Sequence, residues 1–282
     1  SKTFTDDPLR MFRAIRFANQ LGFIIETETL KAIKDNRERI TILSKERMLD
    51  EFEKILLSEK PSIGLNLLYK TGILKLYFKE FYDLQGVETV NNHSHKDNFF
   101  HTLEVIDNVR KKSGNKWLLW AALLHDIAKP KTKRYNKKEG WTFHGHEYLG
   151  SKMVPIIFNK LKLPLNENMK YVQKLVLLHL RLIPLTKKNV TDSAYRRILY
   201  EAGNDIDDLY ILCEADITSK NEEKVSRYLK NLKYVKSKIE EIEKNDNLKN
   251  FQPPVDGKMI MEKFKLKPSK LVGEIKIQIR EA

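Results

Sequence analysis

An all-α, multi-helical fold is predicted for this 282-residue chain by three observations. Glycine is scarce, at 11 residues, Leu, Lys, Glu and Ile are abundant, and apolar side chains recur three and four residues apart through most of the sequence. No pair of alternating segments around a tight turn stands out, so no hairpin is expected. With 41% hydrophobic residues the chain can bury a sizeable core, in one large or two medium domains. Apolar runs such as 117–124 fall far short of the roughly 20 residues that span a membrane. The opening residues do not read as a signal segment, which argues against a secreted or membrane protein and for the cytoplasm. Cys213 is the single cysteine, so an internal disulfide and a multi-thiolate zinc site are both excluded, and any metal must be held by His and carboxylate. The start at Ser1-Lys2-Thr3-Phe4, without Met, fits a piece of a longer protein and a processed terminus alike.

In chain order, Asp7-Pro8 is an N-cap with Pro at the first helical position, and Leu9, Phe12 and Ile15 continue at helical spacing until Gly22. A second helix is expected over Thr27 to Lys34. Ser44 caps a third, whose apolar stripe is Met48, Leu49, Phe52, Ile55 and Leu56, and Ser62 to Thr71 forms a fourth that closes at Gly72. After a polar loop at Gln85 to Asn98 the pattern resumes at Phe99 and continues in blocks near 116–127, 146–161, 167–180, 191–202 and 205–217. Glu222 to Asn245 is highly charged yet keeps Val225, Leu229, Leu232, Val235 and Ile239 in helical register, and Pro253-Pro254 separates it from a short helical tail. The expected division is a helical region at 1–90, a second domain at 91–221 and a tail at 222–282.

Charge gives the first functional clue. Lys and Arg number 52 against 38 Asp and Glu, a net charge of +14. Polyanionic or phosphate-bearing partners suit that balance, and solvated basic helix faces account for part of it as well.

Histidine gives the second. The first 90 residues contain none, and all seven lie beyond: His93, His95, His101, His125, His144, His146 and His179. His125-Asp126 ends an apolar helix, where an imidazole and a carboxylate can turn toward one divalent ion, although such a dipeptide is equally an ordinary hydrogen-bonded pair. His101, His146, His179 and Asp216 also sit in or at the ends of apolar helices, where each polar group needs a partner. A shared ion would provide one. Imidazole and carboxylate without thiolate suit Mg, Mn, Ni, Co or Zn in a non-thiolate site.

The ordered series His101, His125-Asp126, His146, His179, Asp216 resembles the signature of the HD superfamily of metal-dependent phosphohydrolases. The resemblance implies that His101, His125, Asp126 and Asp216 ligate one ion, with His146 and His179 matching the added histidines of two-metal members. His144 competes with His146 for that role. It further implies catalytic roles for Asp126 and for Lys129, the latter as a lysine that meets substrate phosphate. The chemistry would be phosphomonoester or cyclic phosphodiester hydrolysis, in which the ion acidifies a water and polarises a phosphoryl oxygen.

Asp7, Arg10 and Arg13 lie on one face of the first helix, a placement that also suits simple capping and ion pairing. Asp6-Asp7-Pro8-Leu9-Arg10, followed by Met11 to Phe23, resembles the neck motif of class II CCA-adding tRNA nucleotidyltransferases and bacterial poly(A) polymerases, with Asp6 where the family has Glu. Ser44 to Phe52 resembles the next family motif, making Glu46, Arg47 and Glu51 bracing residues. In that family the Asp and Arg form a template for the incoming base. A carboxylate acceptor beside a guanidinium donor matches the amino group and ring nitrogen that cytosine and adenine present, and mismatches uracil and guanine. The resemblance therefore implies nucleotide-binding roles for Asp7, Arg10 and Arg13, CTP and ATP as substrates of the full-length parent, and the 3′ end and backbone of tRNA as partners. The family's head carries a Gly-Gly phosphate loop with an Asp-x-Asp metal pair. This sequence has no Gly-Gly, so the expectation is a portion without that head, unable to polymerise alone. A stand-alone metal phosphohydrolase and a structural RNA-binding module are the competing readings.

Overall fold

The computed structural model describes residues 2–90, 93–94, 97–138, 140–187, 190–219, 221–250, 257–267 and 269–281; His95 and the Pro253-Pro254 break lie outside the described residues. The first long helix, Leu9–Leu21, buries Met11, Phe12, Ile15, Ala18 and Asn19 and ends where Gly22 takes a left-handed φ of 69°. A short helix that periodicity did not disclose, Lys2–Asp6, precedes it. Its five residues are too few to establish a repeat of 3.6.

Leu9–Leu21 packs on Lys45–Leu56 and Pro61–Lys70. Ser44 caps the former, its side chain accepting the Arg47 N–H. The approach to Pro61–Lys70 depends on Gly64, since a Cβ there would lie 2.5 Å from Ile55 Cγ2 and 3.0 Å from the Asn19 amide. Asn19 meanwhile donates to Ser58 Oγ at 2.6 Å. Helices Thr27–Asn36, Ile73–Tyr77 and Lys79–Tyr82 complete this first half.

The hydrophobic core runs on past residue 90 without a break. Phe52 stacks at centroid distances of 5.5 Å from Tyr77 and 5.6 Å from Trp120, tying the first half to the second. At the centre of the second half lies Lys116–Leu124, whose residues from Leu118 onward are all buried. Asn98–Lys112, Glu167–Leu178 and Ile206–Asp216 surround it, and His146–Leu161 packs on Glu167–Leu178. An element with no polar face belongs in the middle of a domain.

Two small hairpins correct the expectation of none. Thr89–Val90 pairs with His93–Ser94, and Arg134–Asn136 with Gly140–Thr142, both antiparallel. Strands of two or three residues are too short for alternation to register, and the second pair is fixed by a cross-strand Tyr135–Trp141 contact at 5.3 Å. The charged segment forms one long helix, Glu222–Asn250, which buries Leu232, Val235, Ile239 and Ile242. It docks on Asp192–Ala202, where Arg196 makes a two-pronged pair with Asp246 at 2.6 and 2.9 Å. Helices Gly257–Phe264 and Lys270–Glu281 follow. Among the described residues no helix is long and apolar enough to cross a membrane.

Candidate functional site

Helix ends build the site. His125 follows the last residue of Lys116–Leu124, His179 follows Glu167–Leu178, Asp216 closes Ile206–Asp216, His146 opens His146–Leu161 and His101 stands in the first turn of Asn98–Lys112. Each terminus directs a polar side chain inward from an otherwise apolar helix, and His101, His125, Asp126, His146 and His179 are all buried.

The orientation of every imidazole is fixed through Nδ1. His125 Nδ1 meets the Ala122 carbonyl, His146 Nδ1 the Phe143 carbonyl and His179 Nδ1 the Val176 carbonyl, each at 2.7 Å, while His101 Nδ1 meets Thr218 Oγ1 at 2.9 Å. A carbonyl oxygen only accepts, so Nδ1 carries the proton in those three rings and Nε2 points into the cluster. Outer hydrogen bonds of this kind are what hold ligating histidines in metal sites.

Facing these nitrogens are two carboxylates. Asp216 Oδ1 is 2.8 Å from His101 Nε2 and 3.5 Å from His125 Nε2. Asp126 reaches in two directions, with Oδ2 3.2 Å from His125 Nε2 and 3.6 Å from His101 Nε2, and Oδ1 3.2 Å from His146 Nε2 and 4.0 Å from His179 Nε2. Donor atoms fall into two sets, His101, His125 and Asp216 in one and Asp126, His146 and His179 in the other, all within 4.8 Å of one another in each set. Asp126 thus lies between them. His125 Nε2 and Asp126 Oδ2 are buried without a well-aligned hydrogen bond, despite their 3.2 Å separation and the Lys129 ammonium 2.6 Å from Oδ2. Atoms that crowd together without satisfying one another suit a shared cation, and the hard oxygen and imidazole donors suit a divalent one.

The electrostatics agree. Burial alone would lower the His125 imidazole, but the adjacent Asp126 and Asp216 overcome it and push it up to about 10. Burial together with the neighbouring positive His125 lowers His179 to about 4. Both carboxyls resist the upward push of burial: His125 and Lys129 hold Asp126 far below the usual range, and hydrogen bonds from His101 and His125 do the same for Asp216. The cluster is therefore a pair of ionised carboxylates that demands positive charge at its centre.

Lys129 stands at the entrance. Its side chain is 19% exposed and that of Asp216 is 20% exposed, whereas the other members are at 9% or below. Among the members of the cluster, the described structure opens to solvent mainly at those two residues. His144 is exposed and outside both donor sets, while His146 is inside one. Thr218 is the partner that sequence reasoning missed. A threonine two residues beyond Asp216 carries no signal of its own until the fold brings it to His101. The sequence does contain one Asp-x-Asp, at Asp205-Ile206-Asp207, but its carboxylates are engaged by Lys174 at 2.5 Å and Lys236 at 3.2 Å.

Asp7 lies in the turn just ahead of Leu9–Leu21 and not on that helix as its spacing from Arg10 predicts; its Oδ1 accepts the Leu9 N–H at 3.2 Å and lies 3.7 Å from Arg47 Nη2. Arg10 is exposed and directs Nη1 to the Thr3 carbonyl at 3.4 Å, and the exposed Arg13 lies 5.9 Å from the Phe17 ring centroid. Behind them Arg16 pairs with the buried Glu51 at 2.6 Å, which braces Leu9–Leu21 against Lys45–Leu56. Glu46 is exposed.

Residues 22–84 match the family described as the probable RNA and SrmB-binding site of polymerase A, and residues 98–221 match the HD domain. An A-adding tRNA nucleotidyltransferase of Deinococcus radiodurans is 30% identical over 98% of this chain and 64% of its own length. A multifunctional CCA protein of Shewanella frigidimarina is 37% identical over 56% of this chain and 38% of its own. The chain thus spans less than two thirds of either relative. A solved CCA-adding enzyme with CTP is 15% identical over 99% of this chain and 56% of that chain, with a TM-score of 0.49.

Proposed function

We propose that this chain, which matches the RNA-binding region of polymerase A and the HD domain, belongs to the tRNA nucleotidyltransferase and poly(A) polymerase family and serves two functions. Its neck and body select the incoming nucleotide and hold tRNA for a CCA-adding or A-adding enzyme, and its HD domain binds a divalent metal and hydrolyses phosphoesters. The domain limits at 90 and 221 belong to this proposal, as do the cytoplasm as its location and CTP and ATP as substrates of the whole enzyme.

For selection, Asp7 in the turn before Leu9–Leu21 and Arg10 in that helix's first turn offer an acceptor and a donor side by side. Arg47 and the Leu9 amide orient the carboxylate. The long guanidinium of Arg10 reaches over an exposed surface, where a base can approach. The net charge of +14 supplies the phosphate contacts that tRNA requires.

For hydrolysis, His101, His125 and Asp216 would hold one ion, with Asp126 shared toward a second held by His146 and His179. When bound, such an ion polarises the phosphoryl oxygen and provides hydroxide at neutral pH. Lys129 orients the phosphoryl group at the entrance and offsets its charge. Asp126 keeps Lys129 in place, and the four Nδ1 anchors keep the imidazoles from turning away.

The observation that carries this reading is the set of four imidazoles, each fixed at Nδ1 and each bringing Nε2 within 4.0 Å of the buried Asp126 carboxylate. Metal analysis of the purified chain, together with assays on 2′,3′-cyclic nucleotides and 2′-phosphates, tests it. Metal and activity should both disappear in a His125→Ala, Asp126→Ala double variant. A chain that takes up no Mg, Mn, Co, Ni or Zn and hydrolyses neither substrate would leave only the tRNA-handling role. That role should show tRNA affinity falling steeply with salt.

A further inference from the structure

Two stretches of the chain link the donor sets. One is His125-Asp126, where the backbone itself joins a member of each. The other is the last turn of Ile206–Asp216, which carries Asp216 of the first set and is hydrogen-bonded both to the helix of His101 and to His179. We infer that Asn108 and Cys213, neither of them in a donor set, are positioning residues that fix the spacing of the two sets, Asn108 acting on the first and Cys213 on the second. The inference rests on the metal reading of the cluster and adds to it the residues that decide how its two halves are held apart.

Cys213 stands three residues before Asp216, so both side chains leave the same face of one helix. Its thiol is buried and donates to the His179 carbonyl at 2.8 Å. That carbonyl lies just past Glu167–Leu178, where the helical ladder no longer supplies a donor. The His179 ring is held to its own helix at Val176, so it moves with its backbone, and sulfur ties that backbone to the helix of Asp216. Of the four Nε2 atoms that of His179 is the farthest from Asp126, at 4.0 Å against 3.2 Å for His146. A ring with so long a reach to the shared carboxylate depends most on what holds it from behind. Packing alone asks for no polar group here, since the buried neighbours of Cys213 along its helix are Leu209, Leu212 and Ala215.

Asn108 acts from the opposite side. It lies two turns beyond His101 on Asn98–Lys112, and its amide donates at 3.3 Å to the carbonyl of Ala215, the residue before Asp216. Ala215 is among the last four residues of its helix, whose carbonyls the helix leaves open. Lys112 and Glu214 meet at 2.6 Å one turn further on, but with side chains 38% and 24% exposed that pair contributes little. The half-buried Asn108 is the firmer tie. Together with Thr218 on His101 Nδ1 it fixes the 2.8 Å approach of Asp216 Oδ1 to His101 Nε2. Hydrolysis that uses two ions needs them roughly 3.5–4 Å apart, so the placing of one helix end against two others has a direct chemical consequence.

Mn²⁺ binding to the full chain, followed by equilibrium dialysis and electron paramagnetic resonance, tests the inference. Wild type should take up two ions whose spins couple. Cys213→Ala should weaken one ion by about ten-fold or more, spare the other and abolish the coupling, while Cys213→Ser, which keeps a donor, should restore all three properties. Asn108→Ala should weaken the other ion instead. The set affected is read in the metal-free chain from the nitrogen NMR resonances of its histidines: Cys213→Ala should move those of His179 and His146, and Asn108→Ala that of His101. A merely structural role predicts both ions weakened alike, lower stability in urea and no rescue by serine, and that result overturns the inference, as does wild-type behaviour in both alanine variants. The metal reading fails separately. If wild type takes up fewer than two ions the two-ion reading falls, and the histidine resonances decide alone, selective shifts upholding the positioning roles and absent or indiscriminate shifts refuting them. Should Cys213→Ala not fold, the half-buried Asn108 still carries the test through its own variant.

Discussion

Asp7, half-buried in the turn before Leu9–Leu21, and Arg10, exposed in that helix's first turn, sit three residues apart, whereas His101, His125, Asp126 and Asp216 come from three helices and their ends and meet in a largely buried cluster. Both constellations pair carboxylates with nitrogen donors. In the neck the geometry is set by the turn that leads into Leu9–Leu21, where the Arg10 N–H donates to the Asp7 carbonyl at 3.1 Å, and the side chains keep freedom at their tips. In the cluster every ring is held from behind by a carbonyl or a hydroxyl, and the carboxylates are forced to remain ionised by their surroundings. A template that must accept more than one base tolerates the first construction. An ion with fixed ligand distances requires the second.

The contrast is broken most severely at Asp126, the one residue that faces both donor sets. Asp126→Asn preserves size and removes charge, and phosphoesterase activity should fall at least about a thousand-fold with loss of metal measured by elemental analysis. A variant that kept its metal and its rate would show that the Asp126 charge does not hold the ion. Next in size is the brace beneath the neck. Glu51 is buried against Arg16 at 2.6 Å, with side-chain exposures of 7% and 13%. Truncation leaves the guanidinium without its charged partner, with only the Gln20 side chain still accepting from it at 2.9 Å, so Glu51→Ala should cost about 3 kcal/mol in urea unfolding. A loss under about 1 kcal/mol would mean that packing around Gly64, and not this pair, fixes the neck.

Thr218 sharpens the comparison from within the cluster, since it is the only anchor supplied by a side chain. Thr218→Val should weaken metal binding by about 10- to 100-fold, the usual effect of removing an outer hydrogen bond. The effect should fall on the set containing His101 and spare that containing His146 and His179. Equal weakening of both would indicate that the two sets act as one. pH separates them in a second way. His125, pushed up to about 10, carries a proton at neutral pH that an incoming ion must displace. Affinity at that set should therefore rise with pH by about ten-fold per unit between roughly pH 7 and 9. His179, lowered to about 4, is already neutral and adds no such dependence. Calorimetry in buffers of different ionisation enthalpy would count the released protons.

Much of this was legible in the chain because it is local. Helix Leu9–Leu21 ends at the glycine that marks it, and His146–Leu161 matches the expected block. The residues of the buried cluster could be named from their resemblance to a known series, but their division could not. A sequence does not say which way the two oxygens of Asp126 point, and the structure turns one toward each donor set. Thr218 and the two small hairpins were hidden for a common reason. Each depends on what the fold brings alongside, and none has a spacing rule that could be read in advance.

The smallest effect on stability should come from the neck pair, and for that reason it is the most discriminating. Arg10 is exposed, with its recorded hydrogen bond a long 3.4 Å contact to Thr3. Arg10→Ala should change folding stability by less than about 0.5 kcal/mol, as surface substitutions generally do. In the protein that carries this neck on a working nucleotidyltransferase, the same change should reduce the preference for CTP or ATP over UTP by about ten-fold or more, because a base is then read by the carboxylate alone. A purely structural Arg10 gives the opposite pattern, altered stability with unaltered base choice. Asp7→Asn supplies the complementary measurement, since replacing half of the acceptor with a donor should relax discrimination toward uracil, while Leu9–Leu21 stays intact through the contacts of Arg16 with Glu51 and of Asn19 with Ser58.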